Sequence, residues 1–515
     1  MTEGVDFMLI KCSSHVEFQQ FLRQQIPLLW ALEKDRVQSF SRSLTKVWLL
    51  NLEPAIPLLF RCFSSLGRPV LYDPVCILRS LVLMLDLGCH SVTKWVEALR
   101  SDSILAVLSG FEPDKTPGVG TFYDFFDKLW LEDREARIKR RLKLRAPVKK
   151  PRKQLKAGVK QPVKHPGVVG KLAKKVMDGR TPFPLRAEKL IQEIFARCFV
   201  DVSIHIGLIP DPLELVLSGD GSSLRTGSSP YGVKVCVCRK NGVFNCDCGR
   251  RLSDPEASWG WDSYRNVYYY GYSMYVLTAA SSINELPMYI RLVQAGRHDS
   301  VTGIVSLAEF RDIYPSLGFS KFLADSAHDA YPYYELMKFW DVEPFIDLNS
   351  KGKGNFKNLP SVSVNEFGIP ICPKGYAMCF CGFNKSRNRL KWRCPLKAGS
   401  RRLRKNISCD CPCSDSPYGR TVYTKPQDDL RIFTKTPRNS KAWRKEYAKR
   451  SSSERSFKRI KNDYEIERSR VRSRKNWYFF LHFAAMNCHL DAWVDKAERE
   501  HFNIWHEVLG VALAA

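Results

Sequence analysis

Negative charge is what this chain is short of. Across 515 residues there are 53 Asp and Glu against 81 Lys and Arg, a net charge of +28, and between Lys139 and Met177 no carboxylate occurs at all. Such an imbalance exceeds what solubility requires, so a polyanionic partner is expected, nucleic acid ahead of an anionic membrane surface. Long apolar runs are also missing. The most apolar segment, VCILRSLVLMLDLG, is too short to span a bilayer and carries Arg79 and Asp86, which predicts a buried helix and no membrane partner. The opening MTEGVDFMLIKCSSHVEF lacks the basic head and apolar core of a secretory signal. A reducing, cytoplasmic setting is therefore expected, and the 17 cysteines read as thiols or metal ligands rather than disulfides. No G-x4-G-K-[ST] lies near Gly219 and Gly221, so nothing supports ATP dependence. No C-x2-C precedes a helix, which argues against redox catalysis, and no internal repeat is apparent.

What is present suffices for two or three folded domains: 44% of residues are hydrophobic and 12% aromatic. Residues 1–135 read as helical, with apolar residues at helix spacing in FQQFLRQQIPLLWALEKDRVQSF, DPVCILRSLVLMLDLG and SVTKWVEALRSDSILAVLSG. Asp73 before Pro74 forms a cap and first-turn pair. Residues 136–185 form a basic arm attracted to phosphates. In 186–350 the pattern turns to strands: LELVLSGDG, NVYYYGYSMYVLTAA and LPMYIRLVQAG read as a meander. The helix SVTGIVSLAEFRDIY, the strand FSKFLAD, the helix YPYYELMKFW and the strand VEPFIDL follow, which makes a mixed α/β sheet. Residues 351–440 are Cys-rich and basic with little periodicity, and 441–515 return to helix, including EYAKRSSSERSFKRIKNDYEIERSR.

Asp220 follows LELVLSG and Asp325 follows FLA, so each falls at or just beyond the end of a predicted strand, where α/β proteins build their sites. On position alone, most such aspartates are turn or cap residues. A third acid lies in YAKRSSSERSFKRIK. On a helix turning roughly 100° per residue, Tyr447, Arg450, Glu454 and Lys461 fall at about 0°, 300°, 340° and 320°, one narrow face, with Phe457 and Ile460 beside it as anchors. Ion pairing along an exposed helix accounts for Arg450 with Glu454, but leaves Tyr447 unexplained.

The spacing Y-x2-R-x3-E-x6-K, met by Tyr447, Arg450, Glu454 and Lys461, resembles the signature of the DDE transposases of bacterial insertion sequences. VLSGDGSSL resembles that family's first-aspartate segment, FLADSAHDA its second, and YYYGYSMYVLTAA with LPMYIRLVQAGRHDS the strands between; YDPVCILRSLVLMLDLG through TPGVGTFYDFF resembles its N-terminal helical region. The resemblance covers roughly 70–130 and 213–485. It implies a ribonuclease H-like catalytic fold with an all-helical N-terminal region, Asp220 on the first strand, Asp325 after the fourth and Glu454 on a late helix. The family commonly has Gly-Tyr after the second aspartate, whereas here Ser-Ala-His-Asp follows Asp325. Asp329 is thus a competitor, and Glu465 is a rival to Glu454 about 16 Å further along a straight helix.

The implied chemistry is two-metal phosphoryl transfer. Three converging carboxylates can hold two divalent ions about 4 Å apart, and hard oxygen ligands favour Mg2+, with Mn2+ as a substitute. Arg450 and Lys461 would clamp phosphates and Tyr447 would stack near the cleaved end. The resemblance further implies double-stranded DNA with terminal inverted repeats, a target DNA, a homodimer assembled on DNA, and a bacterial, nucleoid-associated location. His298, in AGRHDS, resembles a His-Asp pair common in the family; His328 is readable as a phosphate contact or a turn cap.

Eleven cysteines fall in two tracts. Cys236, Cys238, Cys246 and Cys248 form the first; Cys372, Cys379, Cys381, Cys394, Cys409, Cys411 and Cys413 form the second. Either can supply the four soft ligands of a Zn2+ site, although C-x-C is tighter than the common C-x2-C. The second tract occupies the position at which related transposases carry an insertion domain, and it is the tract expected to bind zinc. Two other functions compete with transposition: a zinc-dependent DNA-binding or regulatory protein without catalysis, and a ribonuclease H-like nuclease lacking strand transfer.

Overall fold

Helix α1 (His15–Ser39) begins at a capping box in which Ser14 and Glu17 satisfy each other's backbone N–H groups. It opens an all-helical region that continues through α2 (Ser41–Leu49), α3 (Pro74–Asp86), α4 (Val92–Ser101), α5 (Ser103–Ser109) and α6 (Val119–Leu129). The computed structural model describes residues 11–63, 69–131, 166–181, 187–349, 362–409, 413–468 and 471–510. Residues 136–165 and 182–185 of the expected basic arm lie outside these; its described part carries α7 (Val168–Met177). As the sequence predicts, Asp73 caps α3, its Oδ1 accepting from the Val75 N–H at 2.7 Å, and Pro74 takes the first helical position.

The core centres on a late helix, Arg474–Arg499. Before it, α8 (Ala187–Phe195) leads into the sheet domain, where α9 (Asp299–Ile313) and α10 (Tyr331–Phe339) cover the sheet. Near the C-terminus come α11 (Lys441–Ala448), α12 (Ser451–Lys458) and α13 (Arg474–Arg499). Every residue of α13 from Trp477 to Leu490 is buried. A helix apolar round its circumference needs partners on all sides: α3 and α2 supply one, α8 and the strand Pro287–Gln294 another. Asn487 donates to the Val82 carbonyl at 2.9 Å across this junction. One continuous hydrophobic core therefore joins the N-terminal helices to the sheet. Among the described residues no helix is long and apolar enough to cross a membrane.

The sheet contains β1 (Leu215–Arg225), β2 (Ser258–Asp262), β3 (Val267–Ala279), β4 (Pro287–Gln294), β5 (Phe319–Ala324) and β6 (Glu343–Ile346). β3 pairs antiparallel with β1 on one edge and with β2 and then β4 on the other. β1, β5 and β6 run parallel. Three antiparallel strands followed by two parallel ones, with helices on the faces, is a ribonuclease H-like sheet. Two expectations need correction. β1 does not stop before Asp220 but runs on to Arg225, because Gly221 to Arg225 continue the ladder with β3; Asp220 sits mid-strand opposite Val276. β2 was not foreseen, since SWGWD is too short to show a period.

Residues 362–433 hold a second, smaller core of Cys372, Met378, Leu390, Trp392, Val422, Ile432 and Phe433. It packs on a three-stranded antiparallel sheet of β7 (Cys379–Asn384), β8 (Arg389–Arg393) and β9 (Thr421–Thr424). The return from this insertion is pinned by Arg438, only 2% exposed, which donates to the Ile346 carbonyl at 2.6 Å and the Tyr334 hydroxyl at 2.9 Å.

Candidate active site

Strand register brings the first two acids together. In the parallel pair Ser218 lies opposite Leu323; two residues further along each strand come Asp220 and Asp325, adjacent at the same end. Period two keeps 218 and 220 on one face. That face meets α12: the Ser453 hydroxyl donates to Ser218 Oγ at 2.7 Å, and Ser218 donates to the Arg450 carbonyl at 3.1 Å. Ser452, Ser453 and Ser456 are wholly buried, so small side chains let the helix approach the strand closely, while Phe457 and Ile460 anchor it in the core.

The third acid arrives through this contact. Arg450 Nη1 lies 3.4 Å from Asp220 Oδ2, and Nη2 lies 2.6 Å from Glu454 Oε1. The same guanidinium is among the charges that lower the Asp325 pKa. Asp220 and Glu454 thus share one guanidinium, whose charge Asp325 feels without a direct contact. Among the described residues their oxygens do not form a set mutually within 4.8 Å; the guanidinium fills the space between Asp220 and Glu454.

A fourth carboxylate, Asp299, lies close by; apart from its place after His298, no local pattern announces it. A Cβ on Gly221 would lie 2.2 Å from Asp299 Oδ1, and one on Gly219 would lie 2.5 Å from the Tyr275 hydroxyl. Glycine on both sides of Asp220 is what admits these neighbours. Burial, then the charge of Asp325, pushes the Asp220 carboxyl up to about 7, against the opposing pull of His328. Burial likewise raises Asp299. Burial also presses Asp325 upward, but the hydrogen bond and charge of His328 outweigh it and hold that carboxyl below its ordinary range.

His328 is fully buried, with Nδ1 2.7 Å from Asp325 Oδ1 and Nε2 2.9 Å from the Tyr275 hydroxyl. Asp325, held ionised, accepts from the Nδ1 side of the ring, and Nε2 meets the Tyr275 hydroxyl. His328 positions that carboxylate. His298 instead caps α9, with Nδ1 accepting from Ser300. Asp329 turns away from the site: its side chain is wholly buried, held by Arg431 through Nε at 2.7 Å and Nη2 at 2.5 Å, with the Tyr334 hydroxyl and the Asn349 N–H donating as well.

The single helical face expected for Tyr447, Arg450, Glu454 and Lys461 forms only in part: the Arg450 guanidinium lies 6.0 Å from the Tyr447 ring centroid and pairs with Glu454, but Lys461 leaves the face. α11 ends at Ala448, α12 starts at Ser451, and a π-turn over Arg459–Asp463 changes the helical phase. The close packing of α12 on β1 imposes these breaks. Arg450 and Glu454 keep their i,i+4 pairing, but Lys461 turns to the Ser223 carbonyl at 2.6 Å and to Glu467 at 2.8 Å. Tyr447 stacks on Trp443 with ring centroids 4.6 Å apart. Glu465 lies beyond the π-turn at positive φ. Lys461 nevertheless lines an open groove with Gly221, Asp262, Arg265, Arg297 and Asp299. Three of its lining side chains are cations, which suit a phosphodiester backbone.

The cysteines that gather are those of the first tract: the sulfurs of Cys236, Cys238, Cys246 and Cys248 all lie within 4.8 Å of one another, the only such metal-ready set among the described residues. In the second tract Cys372 belongs to the small core. Cys379 feels Cys381 and Cys394 as neighbours, and Cys409 and Cys413 flank Cys411, which lies outside the described residues.

A family model described as transposase DDE domain matches residues 212–488, more than half of the chain and the whole span from before β1 to within α13. No curated protein matches the sequence.

Proposed function

The chain belongs to the transposase DDE domain family, and from that premise we propose that it cleaves DNA at the ends of an insertion sequence and transfers those ends to target DNA. The observation that carries this reading is that Arg450 bridges Asp220 and Glu454 beside Asp325, the neighbour of Asp220 across the parallel strands. A buried carboxylate pushed up to about 7 is a group whose charge lacks compensation. The hard oxygen donors of Asp220, Asp325 and Glu454 would suit a divalent cation once Arg450 releases its carboxylate partners. When bound, Mg2+, or Mn2+ in its place, supplies activation of the attacking hydroxyl and stabilisation of the leaving oxygen.

The chain's own groups do the rest. His328, oriented by Tyr275, holds Asp325 through Nδ1–H. Arg450 is placed to exchange a carboxylate partner for a phosphate oxygen, and Lys461, Arg265 and Arg297 guide the backbone along the groove. The N-terminal helices and the basic arm bind the terminal inverted repeats, and two copies act on two ends.

A second reading, a DNA-binding or regulatory protein without catalysis, is favoured by one observation: the metal-ready set is of thiols, while the carboxylates stand apart around a guanidinium. Incubation with Mg2+ and end-labelled DNA carrying the inverted repeats that flank the gene separates these functions. Nicking with joined product supports transposition, nicking alone a nuclease, and no nicking the regulatory protein.

A further inference from the structure

We propose that Cys236, Cys238, Cys246 and Cys248 bind one Zn2+ as a structural site, separate from the carboxylates. Cys236 and Cys246 Sγ lie 3.5 Å apart, as do Cys238 and Cys248 Sγ, and all four sulfurs are within 4.8 Å of one another. A tetrahedron of thiolates at about 2.3 Å from zinc has sulfurs about 3.8 Å apart. A disulfide would bring two of them to about 2.05 Å. Four soft sulfur donors select zinc over the hard ions suited to the carboxylates, and a set this compact leaves no room for a multi-iron core.

A second observation points the same way. The excursion between β1 and β2 is tied at its base by the buried Asp254, bonded to Thr226 and Tyr272, but its outer part has little else to hold it. Its apolar side chains Tyr231, Val233, Val235, Val237, Val243 and Phe244 are 48% to 65% exposed. Its regular pairing is confined to Val233–Lys234 against Arg250–Arg251. A segment that buries so little apolar surface does not offset the entropy of ordering its backbone. A metal closing both C-x-C pairs across the tight Cys238–Val243 turn supplies that stabilisation. It holds Arg239 and Lys240 at the exposed tip of the turn.

The test uses the full-length protein purified under reducing conditions. Metal analysis of the wild type, of Cys238→Ser/Cys248→Ser and of Cys379→Ser/Cys394→Ser should show one zinc fewer per chain in the first variant and the same equivalent retained in the second. Replacement by Co2+ should give a thiolate charge-transfer band that the first variant lacks. In the wild type alone, zinc should protect these four cysteines from alkylation. Chelation should remove the protection and open tryptic cleavage after Arg239 and Lys240 without change in far-ultraviolet circular dichroism. This arm decides the matter even where the variant fails to fold. Equal zinc in wild type and first variant, iron or copper in place of zinc, a Cys236–Cys246 or Cys238–Cys248 disulfide, or alkylation indifferent to chelator would each overturn the proposal.

Discussion

Asp220→Asn should stabilise the protein at pH 8 in the absence of divalent ions while abolishing DNA cleavage. The native carboxyl titrates at about 7 rather than at 3.8, so the folded state holds a proton that the unfolded chain has released. Stability is then full below about pH 4, declines as pH rises, and is least above pH 7. The shift corresponds to about 4 kcal/mol at ~1.36 kcal/mol per unit. The side chain is only 16% exposed, so solvent screening takes away little of this. Asparagine keeps an oxygen for the Gly221 N–H, 2.8 Å away, and loses the long contact to Arg450, about 1 kcal/mol at most. A net gain of about 3 kcal/mol follows, or roughly 3 °C in Tm at ~2.1 cal/mol/K of unfolding entropy per residue.

Thermal unfolding between pH 5 and 8, in chelator and in Mg2+, checks the argument. Wild-type Tm should fall across this window and recover with Mg2+, whereas the variant should respond weakly to both. Asp325, whose pKa is lowered, contributes stability that is lost only as pH falls below the ordinary carboxylate range, so it does not mask the effect. A variant less stable than wild type at pH 8, or one raised by Mg2+ as much as wild type, would refute the reasoning.

Glu454→Gln should eliminate cleavage and leave DNA affinity within about twofold in a gel-shift titration, since one exposed charge is removed from the rim of the site; unchanged cleavage would remove Glu454 from the metal-binding set. Arg450→Ala should slow cutting far more than it weakens nonspecific binding, and a uniform affinity loss with normal cutting would make Arg450 part of the general basic surface. Arg431→Ala leaves Asp329 buried and without its guanidinium, which should cost about 3 kcal/mol in denaturant unfolding; a loss under 1 kcal/mol would mean that the insertion is not anchored there.

Legibility followed the range of the interactions. The Asp73–Pro74 cap, the strands around Asp220 and Asp325, and the Arg450–Glu454 pair were readable because period two, capping chemistry and i,i+4 spacing are local. The break between Ala448 and Ser451 and the π-turn were not, because they answer to the packing of Ser453 on Ser218, 235 residues earlier in the chain. Asp299 was missed for the same reason: its place beside Asp220 depends on Gly221 leaving room across two elements. The gathering of the first-tract cysteines was not legible in their spacing. C-x-C looked too tight for a finger, yet a turn folds one pair onto the other.

By itself, then, the sequence determined the strong positive charge that calls for a polyanionic partner, the alternation of helices and strands and which acids were candidates, since charge and periodicity belong to the residues themselves. Only the tertiary structure decided which acids meet, that Asp329 is an anchor and Asp299 a neighbour, and that the serine-rich stretch before Phe457 is a packing surface. Those outcomes rest on the parallel register of β1 with β5 and on the close approach of α12, which no local pattern encodes.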